Sequence, residues 1–371
     1  MGPYQTSISY SANATHVGMP LGGFASGDNL PNPNLKPFTS TEIEYGLEAR
    51  FFNNRLGFDF TYYDQKTTDD ILNANISHAS GFFTTSVNVG KITNKGFEVL
   101  LNVTPIRSSS FTWDISLNFA KNNSNVVSLI EGQDRLFVEE PRTQTAAVYH
   151  IVGYPYGMIT GLTQLRDPAS GLLVYDSSGT PLTDGTTYSI LGNGVPDFTG
   201  GINNSITWKN LNLSVLIDFK SGGDIYSGTN VRMTQAGFTK QTLLGREGEA
   251  PLTINGVVQT GTDPDGKPMY SPFTKTLAPG EAANYWSLLG DRAQENFVYD
   301  ASFIKLRQVT LGYIFPNRLF TKSPVKSLML SFVARNLAII HKNVPNIDPE
   351  ATYTSSNAQG LDYFGMLDVE Q

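Results

Sequence analysis

The sequence predicts an all-β fold, an antiparallel transmembrane β-barrel present as a partial barrel, and three observations carry that prediction. At least five stretches alternate apolar and polar residues over about ten positions, the length with which a tilted strand crosses a bilayer. The 371 residues are 40% hydrophobic and 16% charged, with 35 Gly and 20 Pro, a composition of many strands joined by turns. The connections between the alternating stretches are by turns short and long.

Taken in order, Ile8 and Tyr10 share one side of a strand end, and a Gly- and Pro-rich loop fills 13–38. A strand over 42–51 sets Ile43, Tyr45, Leu47, Ala49 and Phe51 against Glu44, Gly46, Glu48 and Arg50, because strand side chains alternate faces. Residues 53–55 turn the chain into 56–64, where Leu56, Phe58, Phe60 and Tyr62 oppose Gly57, Asp59, Thr61 and Tyr63. A longer connection is expected over 65–91. Phe97, Val99, Leu101 and Val103 then alternate with Glu98, Leu100, Asn102 and Thr104, and 105–110 reads as a tight turn. In 111–120, Phe111, Trp113, Ile115, Leu117 and Phe119 face away from Thr112, Asp114, Ser116 and Asn118.

Residues 121–196 are less regular, with candidate strands at 144–152 and 157–165 on either side of GYPYG. Alternation returns at 197–208 with Phe198, Ile202, Ile206 and Trp208 on one face. Lys209 and Asn210 turn the chain, and Leu211, Leu213, Val215, Ile217 and Phe219 run back opposite Asp218 and its neighbours. The longest irregular segment spans 220 to about 300. Strands at 303–315 and 326–336 close the pattern around a turn at 316–325, with Leu328, Leu330 and Phe332 outward.

Tight turns at 53–55, 105–110, 209–210 and 316–325 therefore alternate with long connections at 11–40, 65–91, 121–196 and 220–301. Short periplasmic turns and long extracellular loops are the asymmetry of outer-membrane barrels. With that direction the strand 326–336 runs outward, and the tail LDYFGMLDVEQ supplies no alternating strand to return it, so a closing strand is expected to be absent. Phe51, Phe52, Tyr62, Tyr63, Trp113, Trp208, Tyr313 and Phe315 fall near strand ends, where interfacial aromatic girdles sit.

In a barrel, Glu44, Glu48, Arg50, Asp59, Glu98, Asp114 and Asp218 line a lumen and are the substrate-facing candidates. Phe58, Phe60, Trp113, Ile115, Leu117, Val215 and Ile217 then face lipid. Periodicity alone also allows a soluble β-sandwich or adhesin-like carbohydrate-binding module, in which the apolar faces pack together and the charged faces are solvated. The two differ in one measurable respect: the apolar set is uncovered in a barrel wall and buried between sheets in a sandwich.

Other function classes find little support. No run approaches the roughly 18 apolar residues of a membrane helix, and a net charge of −7 argues against a nucleic-acid partner. Without cysteine there is neither a disulfide framework nor a thiolate site. His16, His78, His150 and His341 stand too far apart for a zinc motif, and no nucleophile elbow or phosphate loop occurs, so no cofactor, metal or enzymatic activity is expected. A glycan-active enzyme would need two convergent carboxylates, which the sequence neighbours Asp69 and Asp70 or Glu139 and Glu140 do not supply. DPDG at 263–266 opens like a calcium loop but lacks its closing Glu, so a plain turn is expected there. MGPYQTSISYSAN lacks the charged and apolar regions of a secretion signal.

Several motifs taken together resemble the C-terminal part of the SusC/RagA family of TonB-linked outer-membrane transporters. NPNLKP at 32–37 precedes EIEYGLEARFFNNRLGFDFTYYDQKTTDDIL, and NVGKITNKGFEVLLNVTPI at 88–106 precedes FTWDISLNFAKNNSNVVSL at 111–129. GYPYG at 153–157, DASFIKLRQVTLGYIFP at 300–316, ARNLAII at 334–340 and DPE at 348–350 follow in the family's order, over about 320 residues. Phe38 stands where a Glu commonly follows the first motif. The resemblance implies an outer-membrane barrel of about 22 strands, of which roughly nine to eleven are legible here. It further implies import of glycan oligosaccharides or peptides past a plug, with energy relayed by TonB and a SusD-like surface lipoprotein over the loops. The plug domain and signal peptide are expected to lie outside this chain, and the chain by itself is expected not to transport.

Overall fold

The computed structural model describes residues 10–16, 19–24, 29–130, 132–185, 188–321, 324–353 and 358–364. Eight long strands form one antiparallel meander: β1 (Thr39–Phe51), β2 (Leu56–Asn75), β3 (Thr84–Arg107), β4 (Phe111–Ser128), β5 (Phe198–Trp208), β6 (Leu211–Ser221), β7 (Phe303–Ile314) and β8 (Met329–Lys342). Each pairs with the next, and the two-residue strand Asn29–Leu30 adds in parallel to β3, giving a nine-stranded sheet. Among the described residues the outer edges of β1 and β8 have no strand beside them. Successive connections of a meander fall at alternate ends, so the tight ones at 52–55, 108–110 and 209–210 share one end with 315–328, and the short β2–β3 link shares the other with the two long connections 129–197 and 222–302.

Local chemistry explains the tight end. Phe52, Asn53 and Asn54 take positive φ between β1 and β2, and Lys209 does so at the two-residue β5–β6 hairpin. Pro105 does not open a turn as its sequence suggests. It sits in a bulge where Val103 pairs with Ile115 and Ile106 with Trp113, and β3 runs on to Arg107. A bulge is one of the few strand positions that need no backbone donor, so Pro is tolerated there.

The expected connection over 65–91 is instead the continuation of β2 and β3, joined by a short link around the one-turn helix His78–Ser80. At 24 residues, β3 is about 80 Å long. That is more than twice a bilayer crossing. On the apolar side the band ends at the Lys95–Asp64 ion pair, 2.7 Å, beyond which the strands carry polar side chains and stand clear of the apolar band.

The apolar face is uncovered. Phe58, Phe60, Trp113, Ile115, Leu117, Val215 and Ile217 are all half-buried, none lies between two sheets, and on β8 Leu330 and Phe332 are 68% and 70% exposed. This removes the sandwich. Near the long-connection end, rings of Phe58, Phe60, Phe97, Phe119, Phe198 and Phe219 follow one another across five strands at centroid separations of 5.2–6.4 Å. Gly200 makes this possible, since a Cβ there would meet Phe219 Cζ at 2.5 Å. At the other end stand Phe51, Trp208, Tyr313 and Phe315, with the Lys209 ammonium 5.5 Å from the Trp208 ring. The ten-residue step from Phe198 to Trp208 is about 34 Å along the strand, or roughly 25 Å at a typical tilt, the height of a hydrocarbon band. Tyr63, expected among the girdle aromatics, is on the polar face: it pairs with Glu44 and Gly96, and its ring lies over Gly96.

The buried core is elsewhere. The described residues of 129–197, 222–302 and 343–364 fold into an assembly on the rim at the end of the long connections. Candidate strands at 144–152 and 157–165 prove to be Ala146–Ile151 and Met158–Gly161, which belong to a four-stranded sheet of this assembly and not to the wall. Two helices, α1 (Gly228–Gln235) and α2 (Pro279–Arg292), pack against each other in the same assembly. One core gathers Val148, Ile159, Tyr226, Val231, Phe297 and Leu361, and another Tyr175, Ile254, Leu277, Trp286 and Leu289. DPDG is indeed a turn: Asp263 Oδ1 accepts from the backbone N–H of Asp265 and Lys267 in the hairpin Leu252–Thr262/Pro268–Leu277. In the loop expected over 13–38, Tyr10–His16 and Met19–Phe24 pair as a hairpin. Ile8 lies outside the described residues, as does most of the tail that bears on a closing strand; of its described residues, 361–364, Leu361 and Asp362 pair in parallel with Tyr226 and Ser227 inside the rim assembly.

Candidate functional site on the polar face and outer rim

Register brings the predicted polar residues onto one face. Glu48, Asp59, Leu100, Asn118, Gly201, Asp218 and Lys305 form one cross-strand row. A step toward the rim, Gly46, Thr61, Glu98, Ala120, Thr199 and Lys220 form the next, with Glu44 and Tyr63 beyond. Arg50 lies one step toward the turns, and Asp114 further still, opposite Ser205 and Ser214. The apolar set occupies the opposite face, as in the row Phe58, Leu101, Leu117, Ile202, Ile217 and Leu306.

The polar face carries three shallow concavities. Glu48, Arg50 and Asp59 line one of about 270 Å³, Glu42, Glu44 and Glu98 another of about 310 Å³, and Asp59, Glu98 and Asp218 share the largest, about 430 Å³, with Asn118 and Thr199. Not all these groups are free. Arg50 pairs with Glu48 at 2.8 Å, and Asp114 accepts from Thr104 Oγ1 at 2.6 Å, which ties the Pro105 bulge to β4. Asp218 accepts from Arg307 Nε at 2.7 Å.

Sequence reasoning missed the rimward end of this face. Lys220, Lys305 and Arg307 converge within 5.6 Å of the Phe303 ring centroid, and Asp348 and Glu350 of the DPE motif reach them from the rim assembly. Burial works against the Glu350 carboxylate, yet its ion pairs with Arg307 and Lys305 hold its pKa below the ordinary value. A signal was present. In IKLRQVTL the alternation slips by one at Arg307–Gln308, and the structure places a bulge there, Ile217 pairing with Leu306 but Leu216 with Gln308.

In the rim, GYPYG turns between two strands with Gly153 and Gly157 at positive φ, and exchanges backbone hydrogen bonds with Val126 at the tip of β4. His150 is fully buried beneath it, 3.9 Å from the Tyr156 ring, with Nδ1 accepting from the Gly157 N–H at 3.3 Å. Burial lowers its pKa to about 4, so the ring is neutral. Burial likewise pushes the Tyr299 hydroxyl up to about 12. No group of side chains able to hold a metal ion occurs among the described residues.

Comparison with known proteins places this architecture. Residues 3–243 match the family described as TonB dependent receptor-like, beta-barrel. The chain is 28% identical to TonB-dependent receptor P3 of Formosa agariphila, over 98% of this chain and 36% of that protein. It is 25% identical to TonB-dependent receptor SusC of Bacteroides thetaiotaomicron, over 83% of this chain and 29% of that one. The structure of the RagAB peptide transporter superposes with a TM-score of 0.68 at 21% identity, covering 97% of this chain and 37% of the other, a likeness of fold. The chain thus spans about a third of the length of its relatives. That family is one of outer-membrane receptors and transporters and not a class of enzymes. An open antiparallel wall, two-faced and crowned by long connections, is a portion of such a barrel: the chain belongs to the TonB-dependent receptor-like β-barrel family, in keeping with the SusC/RagA resemblance of its motifs.

Proposed function

We propose that residues 1–371 form the C-terminal arc of an outer-membrane importer's barrel, with the polar face toward the lumen, the apolar face toward lipid and the rim assembly outside the cell. In the whole protein a plug gates the lumen, TonB supplies the energy, and a SusD-like lipoprotein sits over the rim. The cargo is a glycan oligosaccharide or a peptide, contacted by Glu44, Glu48, Arg50, Asp59, Glu98, Asp114 and Asp218. The carrying observation is the register: seven polar candidates on one face, seven apolar ones on the other, over a band of membrane height. Long connections gathered at one end support the same orientation.

The absence of native cysteine in this chain makes a direct test available. Single cysteines at Leu117 and Asn118, and at Ile217 and Asp218, are introduced into the whole receptor in the outer membrane and offered a water-soluble maleimide. Labelling of the Asn118 and Asp218 positions with protection of the Leu117 and Ile217 positions is expected. Equal labelling of neighbours, or the reverse order, overturns the orientation.

A further inference from the structure

The rimward end of the polar face holds a charge network that joins two otherwise separate parts of the molecule. Lys305 on β7 is only 5% exposed and donates from Nζ to Asp348 Oδ1 and Glu350 Oε2, both at 2.6 Å. Arg307 bridges Asp218 on β6 and the other Glu350 oxygen. Lys220 adds a bond from Nζ to the Pro349 carbonyl at 3.4 Å. Three cations of the wall thus meet two carboxylates and a carbonyl of one tripeptide, Asp348, Pro349 and Glu350.

That tripeptide is fastened from above as well. Val344, Ile347 and Ala351 around it are buried against Ile225 and Ala301 in the rim core, and Asn230 at the start of α1 bonds through Nδ2 to the Pro345 carbonyl at 3.0 Å. The segment is therefore built into the assembly by apolar packing and into the wall by charge. Three cations within reach of one ring repel one another, and only Asp218 answers them from within the sheet. With the tripeptide in place Asp218, Asp348 and Glu350 answer the three cations, with Asp300 also near Lys220; without it Lys305 loses both of its carboxylate partners, a costly change. The bulge keeps both requirements in phase, setting Lys305, Arg307 and Gln308 on the polar side while Leu306 and Val309 stay on the apolar one.

We propose that Asp348, Pro349 and Glu350 are an electrostatic latch that orients the rim assembly over the barrel mouth, with Lys305 and Arg307 as positioning residues on the wall. The word mouth rests on the barrel reading above; the latch itself does not. In the whole receptor, hydrogen exchange is followed in wild type, in Asp348→Asn/Glu350→Gln, and in that pair combined with Lys305→Met, which removes the buried charge together with its partners so that the receptor reaches normal levels in the membrane. The expected result is a tenfold or greater rise in exchange over 343–351 and 224–230 in both variants, with β2–β4 unchanged. Unchanged exchange in the triple variant overturns the latch, whatever the double variant does. Failure of the cysteine labelling with a positive exchange result would sink the orientation and leave the latch standing.

Discussion

His150 shows how one buried group makes a local part of the rim depend on pH. Its folded pKa of about 4 lies below the ordinary 6.5 because burial penalises the charged ring. A lowered histidine contributes stability that is complete above pH 6.5 and is lost as pH falls through 6.5 toward 4. The shift corresponds to about 3 kcal/mol at most. Protection of 146–161 against hydrogen exchange, corrected for the intrinsic rate, should fall over that window, and His150→Leu should make it flat; a wild-type profile already flat between pH 7 and 4 would refute the assignment. Gly200 acts by size and not by dihedral freedom. A methyl there meets both Phe219 Cζ and the Asn118 carbonyl at 2.5–2.6 Å, so Gly200→Ala should destabilise the receptor by about 1–3 kcal/mol, read from the urea midpoint.

For the strands, the meaning of a residue depends on parity. Leu216 and Ile217 are neighbours of similar hydrophobicity in SVLIDF, and the alternation of Leu213, Val215 and Phe219 puts Ile217 with the apolar set. Pairing agrees: Ile217 lies in the row with Phe58 and Leu117, and Leu216 in the row with Arg50 and Asn102. Ile217→Lys should therefore cost about 2–4 kcal/mol in membrane unfolding, while Leu216→Lys costs under about 1 kcal/mol. Equal penalties would contradict the two-faced wall. The hairpins were legible because their turns use residues suited to positive φ, such as Asn53 and Asn54. Bulges were not, since Pro105 reads as a turn until Ile106 beyond it is seen to pair with Trp113. The extension of β2 and β3 was also hidden. Outside the bilayer nothing enforces alternation, and segments such as QKTTDDILNAN lose the pattern while keeping the ladder.

The whole molecule combines a wall on which, among the described residues of the band, only Phe303 is a buried hydrophobic side chain with a rim that contains nearly all of its core. Its stability is consequently divided. The rim is held by ordinary burial, whereas the wall, on the proposed orientation, needs lipid on one face and strand partners at the edges of β1 and β8, because unpaired backbone groups are expensive in hydrocarbon. Residues 1–371 expressed alone behind an export signal should remain protease-sensitive and extractable from outer membranes by urea, while the same residues within the whole receptor resist both. Resistance of the isolated chain would show that the arc closes on itself.

By itself the sequence determined the strands, their two faces, the end at which the loops gather, and the family. Each is a local or periodic property: side chains alternate every residue, turns require particular dihedrals, and motifs are contiguous. Only the tertiary structure decided that 146–151 and 158–161 belong to the rim, that β2 and β3 run on through 65–75 and 84–91, and that Lys305 and Arg307 meet Asp348 and Glu350 more than forty positions away. Short strands carry too few residues to announce their sheet, and ion pairs between distant segments leave no period in the chain. Those contacts exist only once the meander has placed β7 beside β6 and folded the rim back onto both.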